Sequence, residues 1–126
     1  MANLDSGLPR RTYRLINETR GKVLAERVAR ADGFWQRLIG LLLRNHLHSG
    51  EGLWIEPCNG IHTIGMRFPI DLVMLDRFGN VIRVVRNIPP FRVIRSSNGW
   101  KGAVEMPPGD LSEEDLQIGD RLRLAE

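Results

Sequence analysis

Cys58, His62, Thr63, Arg67 and Asp71 stand close together in the sequence. A thiol four residues from an imidazole, with the Asn59 amide between them, holds the parts of a cysteine nucleophile, a base and an orienting group. Those parts work only when the fold brings them together, and proximity along a loop does not do that. Cys58 and His62 with a carboxylate such as Asp71 or Glu105 offer metal-ligand types. Two neighbouring ligands fall short of the roughly three to four that a zinc site needs. His46 and His48 have only Glu51 nearby and read as loop histidines. Cys58 reads as a small buried apolar residue. No catalytic residue, metal ligand or cofactor is therefore assigned.

A binding site is the better reading of the same stretch. Arg67 is a forked, permanently charged donor. Asp71 stands between Ile70 and Leu72 at the entry of an apolar run, where a carboxylate is costly without partners. Arg67 or backbone N–H groups of the 58–66 loop are the expected partners. His62, Thr63, Arg67 and Asp71, with Asn59 beside them and Trp54 or Trp100 as a wall, would line a polar pocket for a small anionic or hydroxylated ligand.

The whole chain bounds this reading. Its 126 residues suit a single domain over 12–126, preceded by a polar lead-in at 1–11. A 42% hydrophobic and 26% charged composition is that of a globular protein. Net charge is +3 with 18 Lys and Arg against 15 Asp and Glu, weak grounds for nucleic-acid binding. Arg83, Arg86, Arg92 and Arg95 form a basic run, but Phe91 is its lone aromatic platform, so it reads as a solvated face. A single cysteine excludes an intrachain disulfide. No signal-peptide core or membrane span is read, and a cytoplasmic location is expected.

The elements that must position these residues are mainly strands. Residues 12–17 and 22–29 alternate about a turn and predict a first hairpin. Asp32 predicts the N-cap of a helix over 33–45, with Phe34, Leu38, Leu41 and Leu42 in a buried stripe. Short strands follow at 52–56, 91–95, 100–106 and 121–124. The central pair, 70–76 and 80–86, should run antiparallel about Gly79-Asn80 and face the helix or a second sheet. Ser112-Glu113-Glu114-Asp115 predicts one or two turns of helix. The expected fold is mainly β: a jelly-roll-like β-sandwich or partly open barrel with one packed α-helix.

Several of these pieces carry a resemblance. Trp35-Gln36-Arg37-Leu38-Ile39-Gly40-Leu41-Leu42, Gly52-Leu53-Trp54-Ile55, Ile61-His62-Thr63, Met66-Arg67-Phe68-Pro69-Ile70-Asp71 and Gly119-Asp120 occur here in that order. Together the chain resembles domain-of-unknown-function family 192, a bacterial and archaeal family, over most of its length after residue 12. The resemblance implies a jelly-roll-like sandwich with one packed helix and implies no activity. Many members of that family carry an export signal or lipid anchor, which is not read here. The resulting expectation is a non-catalytic binding or accessory protein. A small hydrolase using His62 with Cys58 or Asp71, and a protein-interaction module of a larger assembly, are the alternatives.

Overall fold

The computed structural model describes residues 11–31, 47–58, 60–95 and 99–126. Nine strands run through them: β1 (Tyr13–Asn17), β2 (Lys22–Ala31), β3 (Glu51–Ile55), β4 (Ile61–His62), β5 (Ile70–Leu75), β6 (Val81–Ile88), β7 (Val93–Ile94), β8 (Gly102–Met106) and β9 (Leu122–Ala125). Seven form one mixed sheet in the order β6-β5-β8-β3-β2-β1-β9, and β4 pairs with β7 in a small second ladder.

Alternation along the central strands explains why the large sheet is apolar on both faces. Ile70, Leu72 and Met74 of β5 join Leu53, Ile55 and Ala103 on one face, where Ile61, Met66, Phe68 and Trp100 complete the cluster. Val73 and Leu75 point the other way, with Trp54, Val104, Met106, Leu111, Leu116 and Leu122. Two cores thus share one sheet.

The predicted β5–β6 hairpin is present, with Leu72 opposite Val85 and Leu75 opposite Val81. So is β1–β2, broken twice by register shifts. β2 and β3, by contrast, run parallel, Arg27 opposite Glu51 through Ala31 opposite Ile55. A parallel pair needs a long crossover, and residues 32–50 supply it. The helix expected over 33–45 falls outside the described residues. The expected 112–115 helix is corrected to a turn: Leu116 N–H donates to Ser112 O at 3.1 Å, and a separate turn closed by Asp120 N–H to Gln117 O follows in place of a second helical turn. The 91–95 strand shrinks to Val93–Ile94.

The sheet is open, not a closed barrel. Its two edges still meet at one point, where Asn80 bridges Arg121. There Leu122 N–H donates to Gly79 O and Val81 N–H to Asp120 O, at 2.8 and 2.7 Å. Gly79 is required at this approach. Its φ is +88°, and a Cβ would stand 2.5 Å from Leu122 O.

Candidate functional site

The polar stretch that the sequence singled out is divided by the sheet. Asp71 is buried and lies on β5 with Val73 and Leu75 on its side, opposite the face that Ile61 covers. Its partners are not Arg67 or the 58–66 loop. Its Oδ1 accepts from Asn87 N–H at 2.7 Å and its Oδ2 from Gly109 N–H at 3.1 Å. Arg86 Nη1 lies 3.6 Å from Oδ2 and donates to Leu111 O at 2.6 Å. Asn87 takes φ +55°, a left-handed conformation that Asn tolerates, where the β5–β6 register slips. The carboxylate meets an amide in the irregular stretch and ties β5 to β6 and to the 107–110 turn.

Thr63 serves a second junction. It is fully buried. Its hydroxyl donates to Pro89 O at 2.7 Å and accepts from Arg92 N–H at 2.9 Å. Its carbonyl accepts from Met66 N–H and Phe91 N–H, both at 3.1 Å. Thr63 therefore fastens the 63–66 turn to the 89–92 turn beside the β4–β7 ladder. Phe91 is held there at φ +65°, a region that costs an L-residue about 1–2 kcal/mol.

His62 is half-buried opposite Val93, with its Nδ1 enclosed by the protein and outside hydrogen-bond range of any described group, while the residue interacts elsewhere. Arg67 is exposed, and Asn59 lies outside the described residues. Cys58 Sγ donates to Gly60 O at 3.4 Å. Among the described residues no three His, Cys, Asp or Glu side chains form a metal-binding group. Trp100 is a core anchor, buried, with Nε1–H donating to Gly102 O at 2.7 Å.

Trp54 does reach a cavity. A space of about 220 Å³ is lined by Arg30, Trp54, Glu56, Arg77, Phe78 and Arg123 among others. Four elements build it, with Trp54 coming from β3. Arg30 comes from β2 and lies 3.8 Å from Glu56 Oε1, which also accepts from Trp54 Nε1–H at 3.4 Å. Arg123 comes from β9, 3.3 Å from Glu18 Oε1. Arg77 and Phe78 come from the β5–β6 turn, with the guanidinium 4.7 Å from the ring centroid.

That turn is fixed from within. Asp76 Oδ1 accepts from Phe78 N–H and Asn80 N–H at 2.8 and 2.9 Å, and Oδ2 from Asn80 Nδ2 at 3.0 Å. Burial pushes the Asp76 carboxyl pKa up, but these donors outweigh it and hold it below the ordinary value. The close approach at Gly79 presses the turn onto β9, so Arg77 and Arg123 face one space. Sequence reasoning missed both arginines and Arg30. They are far apart in the chain, and only the meeting of the two sheet edges collects them.

The geometry can now be set beside known proteins. The model of the DUF192 family, described as "Uncharacterized ACR", matches residues 15–124. The chain belongs to this family. It is 33% identical to a UPF0127 protein of Thermococcus sibiricus, over 86% of this chain and 72% of that protein. Identity to a UPF0127 protein of Pyrococcus furiosus is 27%, over 86% of this chain and 95% of that one. Two crystal structures share the fold. One is a proposed transcription regulator from Sinorhizobium meliloti, with TM-score 0.74 and 21% identity over 89% of this chain and 91% of that one. The other is a protein of unknown function from Novosphingobium aromaticivorans, with TM-score 0.76 and 18% identity over 98% and 91%. No described helix is long and apolar enough to cross a membrane.

Proposed function

We propose that this DUF192 protein is a non-catalytic binding domain for a small anion, and that the ligand sits in the cavity between the β5–β6 turn and β9. One observation carries the reading: Arg30, Arg77 and Arg123, from three separate elements, line a single cavity in which Glu56 is the one carboxylate. Guanidinium groups present planar forks suited to phosphate and carboxylate oxygens. Trp54 supplies an apolar wall and an N–H already engaged by Glu56. The volume is below the roughly 300–1,000 Å³ of ordinary ligand pockets, which favours an anion of phosphate or small-carboxylate size. The sequence expectation of a small anionic or hydroxylated ligand is narrowed to an anion, and Trp54 is the residue retained from that expectation.

Calorimetric titration with inorganic phosphate and pyrophosphate tests it. Binding should weaken as salt rises. Arg77→Ala and Arg123→Ala should each weaken it by about tenfold or more, the ordinary loss for a charged hydrogen bond. Heats indistinguishable from dilution, or parental affinity in both variants, would refute the reading.

A further inference from the structure

Around the Thr63 junction the protein exposes side chains that water does not favour. Phe91 is 69% exposed, Val93 55% and Ile64 50%. Their placement is imposed by hydrogen bonding. Ile64 stands at the tip of the turn closed by Met66 N–H to Thr63 O, ahead of Gly65 at φ +87°. Phe91 stands at the tip of the facing turn, its N–H on that same carbonyl and its backbone left-handed. Val93 follows on β7 opposite His62. A glycine would take the Phe91 backbone conformation freely, yet the position carries an exposed aromatic ring.

Along the two segments that form this tip, the charge has one sign. Residues 57–70 and 86–104 contain no Asp or Glu, although the chain has 15. Arg67, Arg92 and Arg95 are exposed along the same two segments.

We propose that Ile64, Phe91 and Val93 insert into an anionic lipid surface while Arg67, Arg92 and Arg95 engage its headgroups. Aliphatic and aromatic side chains ringed by arginine match the layered chemistry of such an interface, apolar below and negative above. A nucleic acid offers the negative charge but no apolar phase for Ile64 and Val93. Three apolar side chains are far fewer than the roughly 20–30 residues a side of a stable protein interface.

Vesicle co-sedimentation of the full chain is the test. The protein should sediment with phosphatidylcholine–phosphatidylglycerol vesicles, far less with phosphatidylcholine alone, and less as salt rises. Phe91→Gly keeps the backbone conformation, so its melting temperature should equal or exceed that of the parent, while its vesicle partition should fall about tenfold or more. The charge reversal R92E/R95E should abolish the preference for anionic vesicles. Absent sedimentation, equal binding to neutral vesicles, or parental binding by folded Phe91→Gly would overturn the proposal. Binding to an acidic polypeptide such as polyglutamate without vesicle binding would overturn it in favour of a protein partner.

Discussion

Asp71 is 2% exposed between Ile70 and Leu72, and its carboxylate joins three segments through Asn87, Gly109 and Arg86. Replacing it with Ala removes the charge and strands its donors, a loss of about 1–3 kcal/mol. Asp71→Asn keeps one acceptor oxygen and should lose less. Thermal melts decide this, and parental melting of both variants would show that the junction does not depend on the carboxylate. The sequence showed that this carboxylate needs partners, because it stands in an apolar run. It did not show which, because Asn87 and Gly109 approach only through pairing of β5 with β6 and the turn after β8.

At the scale of elements, the turn before β9 is anchored through a buried carboxylate of its own. Asp120 Oδ2 accepts from Asn17 Nδ2, Arg20 Nε and Gln117 N–H at 2.8, 2.7 and 3.0 Å. Burial pushes the Asp120 pKa up, but the Arg20, Asn17 and Gln117 bonds outweigh it and hold it below the ordinary carboxylate value. A folded value below the unfolded one contributes stability that is complete above the ordinary carboxylate range. It is lost as pH falls through the depressed folded value. Asp120→Asn should therefore melt well below the parent at about pH 7, and the gap should narrow as pH falls below the ordinary carboxylate range. A gap independent of pH would contradict this linkage. The β5–β6 and β1–β2 hairpins were legible because alternation and turn residues are local signals. The parallel β2–β3 pair was not, since a crossover leaves no mark at either strand. The residue pattern at 112–115 was read as helix because a capping serine serves a lone turn equally well: Asp115 N–H donates to Ser112 Oγ at 3.2 Å.

Across the whole molecule, one twice-covered sheet separates Thr63 from Asp71 and Trp54, which the sequence read as one site. The Thr63 junction lies beside the β4–β7 ladder, and the arginine cavity lies where the β5–β6 turn meets β9. Binding in that cavity is the account's central claim. The most direct measurement is a phosphate titration followed by amide and indole resonances in 1H–15N spectra. The Trp54 indole N–H and the backbone amides of Arg30, Arg77, Gly79 and Arg123 should shift together and saturate, while Thr63 and Arg92 stay still. Shifts confined to the Thr63 turns, or no saturable shift at Trp54, would contradict the account.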